Sequence, residues 1–149
     1  DWEAGHRIVG TQDVDGQPKC VLFDSDGQSV VQVIGDGFFR GDGELALSPD
    51  LNWIASTESL TGHSSNPAGW PSRRVILYDR QARVGARLPW FNLGNYYGPT
   101  KSGDWSVKYV PLRVDMAPRW NRDGSEVLFD AIAGDGTRQL YVGWRSKAK

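Results

Sequence analysis

The chain has 149 residues, of which 39% are hydrophobic and 23% charged, with a formal net charge of −1. That length suits one packed domain, and the scattered basic residues leave no case for duplex nucleic acid or an anionic membrane as partner. No run approaches the ~18 apolar residues of a membrane span, and the lone Cys20 rules out an intrachain disulfide or a cysteine metal cluster.

Aromatic residues make up 11% of the chain, with seven tryptophans, and there are 18 glycines and 8 prolines. Frequent turns, abundant core material and no helix-period run of useful length favour an all-β fold. The chain starts at Asp1 without a methionine or a signal peptide. A processed chain or a piece of a longer one fits that start, and we expect a secreted or periplasmic protein, although the cysteine usage also suits the cytosol.

Strands are predicted wherever apolar alternation is bounded by Asp, Gly or Asn. His6 to Val9 is a short candidate, followed by the turn-rich Asp13-Val14-Asp15-Gly16. Lys19 to Phe23 and Gln28 to Ile34 make a hairpin around Asp24-Ser25-Asp26-Gly27. Next come Glu44 to Leu47, a turn, Trp53 to Thr57, a polar loop, Val75 to Tyr78, and Gly85 to Trp90. The last group is Val114 to Trp120, a turn, Glu126 to Ala131, a short loop, and Arg138 to Trp144. Cys20, inside a strand, is a poor nucleophile candidate.

One cassette occurs twice. Gly43-Glu44-Leu45-Ala46-Leu47-Ser48-Pro49-Asp50-Leu51-Asn52-Trp53-Ile54-Ala55-Ser56 and Met116-Ala117-Pro118-Arg119-Trp120-Asn121-Arg122-Asp123-Gly124-Ser125-Glu126-Val127-Leu128-Phe129 are each a strand, an Asp-centred turn and a second strand. Internal repetition of this kind marks a stacked or radial architecture. The expected fold is a β-propeller of four-stranded antiparallel blades: a blade fragment over about 1–35, a full blade over about 41–91, and an incomplete last blade over about 113–145. Roughly two and a half blades cannot close a ring, and open sheets would leave unpaired edges. The remaining blades are expected on another chain or a missing segment.

Ser48-Pro49-Asp50 and Asn121-Arg122-Asp123-Gly124, each leading into a hydrophobic strand, resemble the Ser-Pro-Asp-Gly repeats of TolB-like propellers. Arg113-Val114-Asp115-Met116-Ala117-Pro118-Arg119-Trp120-Asn121-Arg122-Asp123-Gly124, continued by Thr137-Arg138-Gln139-Leu140-Tyr141-Val142, looks like the oligogalacturonate-lyase-like subgroup, whose fold ulvan lyases share. The likeness spans about residues 40 to 145, excepting two long loops. It departs at Leu51, where the turn normally has Gly, so that Asn52 is expected to take the left-handed conformation. It departs again at Ala117, where the subgroup often has a histidine. No cofactor is therefore expected of this chain, and no metal ligands are assigned; a divalent metal elsewhere on the propeller stays open.

Blade topology puts the Asp turns on one side of the ring. Three long segments, 35–43, 58–74 and 91–112, converge on the other, where binding and catalysis usually reside. The resemblance implies an acidic polysaccharide or oligosaccharide as partner, cleaved at uronic acids by β-elimination. Tyr97 is the candidate base or acid, Arg113 the carboxylate neutraliser and His63 a second proton-transfer group. Arg40, Tyr96, Lys101, Trp105, Lys108 and Tyr109 are candidate substrate contacts, since aromatic planes stack on sugars and cations pair with carboxylate or sulfate. The same tyrosines and Trp105 could instead pack the long loop onto the scaffold, His63 could be simply solvated, and Arg40 could pair with Asp42 or Asp36. The alternative function is a non-catalytic propeller that binds a protein or glycan.

Overall fold

Apolar side chains that alternate in pairs along short strands can be buried on both sides of a sheet only if sheets stack face to face. Of the three sheets the middle one does this, with a core on each face. The computed structural model describes residues 2–3, 7–24, 29–39, 43–60, 72–92, 116–133, 135 and 137–145. Among them lie β1 (Trp2–Glu3), β2 (Arg7–Val14), β3 (Gln17–Phe23), β4 (Val30–Val33), β5 (Leu45–Leu47), β6 (Trp53–Leu60), β7 (Ser72–Asp79), β8 (Val84–Arg87), β9 (Phe91–Asn92), β10 (Arg119–Trp120), β11 (Glu126–Ile132) and β12 (Arg138–Trp144). The sheets are β1-β2-β3-β4, β5-β6-β7-β8 with β9 added to β7, and β10-β11-β12, every pairing antiparallel.

The middle sheet is the shared wall. From β7, Ile76 and Tyr78 join Val9, Cys20, Leu22, Ile34, Phe39 and Ile54 in a core against the first sheet. Val75 and Leu77 point the other way, into a core with Ala46, Ala55, Met116, Val127, Phe129 and Ala131 against the third. Phe129 stacks on Tyr141 with ring centroids 5.7 Å apart, and Phe91 meets both rings edge-on. At the inner edge β5 and β10 lie side by side, and Trp120 Nε1 donates to the Ala46 carbonyl at 3.0 Å. On the far side of the third sheet Leu140, Val142 and Trp144 of β12 stay exposed.

The two Asp turns are superimposable in chemistry. In the first, Ser48 Oγ donates to Asp50 Oδ1 at 2.5 Å and accepts from Trp53 N at 2.9 Å, while Asn52 N donates to Asp50 Oδ1 at 3.2 Å. In the second, Asn121 Oδ1 accepts from Glu126 N at 3.1 Å, and Asp123 Oδ1 accepts from Ser125 N at 2.9 Å and Ser125 Oγ at 2.6 Å. Gly124 holds the left-handed position of the second turn with φ 71°. In the first, Leu51 itself takes that conformation with φ 60°, and Asn52 does not. The expectation for Asn52 is corrected because the turn is closed by the Leu51 N–H donating to the Ser48 carbonyl, which fixes the twist at that residue.

Several boundaries also shift. The first sheet gains a fourth strand, β1, where three were expected, and β2 runs on to Val14 instead of stopping at Val9. β6 and β7 extend to Leu60 and start at Ser72, deep into what reads as a polar loop. The expected strand Gly85 to Trp90 ends early, at Arg87, before Pro89, which has no N–H to donate, and a further short strand, β9, follows it on the same edge of β7.

Candidate functional site

Strand register decides which loops share a face. Leu60 pairs with Ser72, and Ser72 pairs on its other side with Asn92. The connections 61–71 and 93–115 therefore leave the middle sheet at adjacent positions of the same end. Gly43, which leads into β5, reaches that end too: its Cα carries no side chain against the Thr57 carbonyl. The Asp turns, Ser48 to Asn52 and Asn121 to Ser125, close the opposite end. All nine side chains nominated from the sequence (Arg40, His63, Tyr96, Tyr97, Lys101, Trp105, Lys108, Tyr109 and Arg113) lie outside the described residues.

The described part of this rim carries a charged cluster that the sequence did not mark. Glu58 is 2% exposed, in β6 opposite Arg74 of β7. Its Oε2 accepts from Arg74 Nε at 2.7 Å and Arg74 Nη2 at 2.5 Å, and Arg87 Nε of β8 stands 3.5 Å from the same oxygen. Burying a carboxylate requires this kind of compensation, because desolvation of an unpaired charge is far costlier than the pair. Each guanidinium also lies on an aromatic face, Arg74 4.1 Å from the centroid of Trp90 and Arg87 4.3 Å from that of Phe38. Arg87 Nη2 further donates to the Phe38 carbonyl at 3.1 Å. The cluster faces the first sheet, since Glu58, Arg74 and Arg87 continue the rows of Ile54, Ile76 and Tyr78.

Nearer the inner strands, Arg119 Nη1 stands 3.6 Å from Glu44 Oε2 and joins the middle sheet to the third. Both side chains are well exposed, so the pair adds little stability. Met116 and Ala117 beside it have φ of 61° and 21°, which turns the chain before β10 begins. That is why the expected strand start at Val114 does not apply to the residues described from Met116 onward. Asp36 pairs with Lys19 at 2.9 Å, and that hydrogen bond holds its carboxyl below the usual range.

Ala117 carries a methyl and can ligate nothing. Among the described residues no group of three or more His, Cys, Asp or Glu side chains could hold a metal ion. Cys20 is buried, and burial pushes its thiol up to about 12, which suits a core residue and not a nucleophile. A polar groove of about 510 Å³ lies at the Asp-turn end, lined by Gln32, Asp50, Asn52, Arg80 and Arg83 among others. Its Arg80 is spent in part on the turn, donating through Nη1 to the Leu51 carbonyl at 2.7 Å.

No protein-family model matches the chain, and no curated protein matches it. Among solved structures the chain is similar to TolB from Acinetobacter baumannii, with 20% identity and a TM-score of 0.52. The likeness covers 92% of this chain and 26% of that one, so the chain spans about a quarter of the TolB length. At that identity the match speaks for the fold alone. The chain is all-β and forms part of a TolB-like β-propeller, with its three sheets as neighbouring blades.

Proposed function

We propose that this chain belongs to a propeller that binds an acidic polysaccharide on its long-loop face and cleaves it by β-elimination at uronic acid residues, as in ulvan or oligogalacturonate breakdown. The observation that carries the reading is the register at Ser72, which brings the stems of 61–71 and 93–115 side by side. Those connections hold the tyrosines, lysines, His63 and Arg113. The rest of the ring is supplied by another segment or chain, and a secreted or periplasmic setting would give access to such polymers.

The elimination needs three groups. A base takes the proton beside the carboxylate, and the electron pair left behind forms a carbon–carbon double bond as the glycosidic C–O bond breaks. A cation neutralises the carboxylate so that the enolate intermediate is accessible, and an acid protonates the departing oxygen. In this reading Tyr97 moves the proton, with His63 as a second transfer group, and Arg113 pairs with the carboxylate. Arg40, Tyr96, Lys101, Trp105, Lys108 and Tyr109 hold the flanking sugars.

Incubation with pectic, ulvan and glycosaminoglycan polymers tests this, because the unsaturated product absorbs near the ultraviolet edge. Tyr97→Phe and Arg113→Ala are expected to slow turnover about a hundredfold to a thousandfold, equivalent to roughly 2.7–4 kcal/mol of transition-state stabilisation. No absorbance with any of the three polymer classes overturns the cleavage. Ala117, a methyl at a position where lyase relatives often have a histidine, favours the second reading: a non-catalytic propeller that binds a glycan or protein. That reading predicts binding without an unsaturated product.

A further inference from the structure

We infer that Arg74, Arg87 and Trp90 form a subsite for an anionic sugar residue, held in shape by the buried Glu58, at the rim of the middle sheet. The inference rests on the proposed polysaccharide reading and adds to it a place on the chain and a charge preference. Both guanidiniums reach one carboxylate oxygen, at 2.5 Å and 3.5 Å, so they lie close together and carry one net positive charge with Glu58. Each has donors to spare. Arg74 uses Nε and Nη2, Arg87 uses Nε and Nη2, and Nη1 of both has no hydrogen-bond partner among the described residues.

Beside them Trp90 is 39% exposed although Arg74 covers part of one face, which leaves ring surface for a second planar or ring-shaped group. Arg87 keeps 34% of its side chain in solvent and Arg74 20%, so both can be reached. Guanidinium donors beside an aromatic plane match a pyranose bearing a carboxylate or sulfate: in this inference the ring lies on the indole and the anion meets the forks. The position is set by strand register. Trp90 sits just past β8 and one residue before β9, which pairs with Ser72 and Arg73. The subsite therefore lies next to the stems of both long connections, where a polymer leaving the proposed cleavage centre would pass. Glu58 is a positioning residue: it orients the two guanidiniums and touches no ligand.

The test uses the full chain with polygalacturonate and its fully methyl-esterified form, binding measured by titration and cleavage by ultraviolet absorbance. Arg87→Gln and Trp90→Ala are expected to weaken polygalacturonate binding about tenfold, the loss of one charge-assisted or stacking contact. Trp90→Phe, which keeps a ring for Arg74, should fall between wild type and Trp90→Ala. The ester should bind wild type and Arg87→Gln alike. Glu58→Gln should lower the preference for acid over ester, whereas a merely structural role would weaken both equally. Unchanged binding in both Arg87→Gln and Trp90→Ala, with Tyr97→Phe still losing turnover, overturns the subsite and leaves the lyase reading standing. Weakened binding without any unsaturated product supports the subsite and overturns cleavage. Failure of wild type to prefer acid over ester overturns the subsite.

Discussion

Gly43→Ala separates close packing at the rim from ordinary loop tolerance. A Cβ built on Gly43 would stand 2.0 Å from the Thr57 carbonyl oxygen and 2.6 Å from Ser56 Oγ. Carbon and oxygen normally approach to about 3.3 Å, so the backbone before β5 would have to retreat by more than an ångström. The oxygen cannot yield instead, because Thr57 pairs with Val75 inside the β6–β7 ladder. Overpacking of this kind costs about 1–3 kcal/mol or more, a sizeable part of the ~5–15 kcal/mol that holds a domain folded. Gly16→Ala is the control. Its Cβ would meet nothing within 4 Å, and only the φ of 76° opposes it, a penalty of about 1 kcal/mol. Urea unfolding of the two variants, compared at equal slope, reads the difference. A Gly43→Ala loss no greater than that of Gly16→Ala would refute the close approach.

Leu51→Gly should stabilise the chain by up to about 1 kcal/mol, since a left-handed leucine costs more than the extra freedom of an unfolded glycine; the same unfolding assay checks it, and a loss would mean that the Leu51 side chain packs more than its half-exposed position suggests. The Asp turns should make stability fall in acid. The hydroxyl of Ser48 holds the Asp50 carboxyl below the ordinary 3.8, and the hydroxyl of Ser125 does the same for Asp123. A depressed carboxyl stabilises the fold above its unfolded value, so that contribution is complete above about pH 5 and is lost as the pH falls through 3.8 and then through the folded value. Melting temperatures of wild type and Asp50→Asn followed from pH 6 to 2.5 should converge at the acid end (roughly, on the linkage argument); parallel curves would contradict it.

Much of the architecture was legible because turn chemistry is local. Ser48-Pro49-Asp50 and Asn121-Arg122-Asp123 name their own hydrogen bonds, and the strands that flank them follow. β1 was not legible, since two residues pairing with Arg7 and Ile8 have no periodicity to display. The ends of β6 and β7 were hidden for another reason. Glu58, Ser59, Arg73 and Arg74 read as loop by polarity, and only the cross-strand register turns Glu58 and Arg74 into a buried pair. A signal was available: an acid following the buried stretch Ile54 to Thr57, with two arginines just before Val75, is the pattern of a sheet whose last rungs are ionic. The long connections on which the proposed chemistry depends offered residue types but no spacing rule, so their side chains could be nominated only by resemblance and by the face their stems define.

The alternation along β7 has a consequence for how such a chain can change. Val75 and Leu77 serve one neighbour while Ile76 and Tyr78 serve the other. A single inserted or deleted residue in that strand would exchange the two sets and spoil both seams at once. Loss or gain of a whole hairpin pair, by contrast, presents each seam with an equivalent surface. Variation in such a molecule is therefore expected to come in petal-sized steps and in the rim connections, while the strand itself tolerates substitution but not slippage.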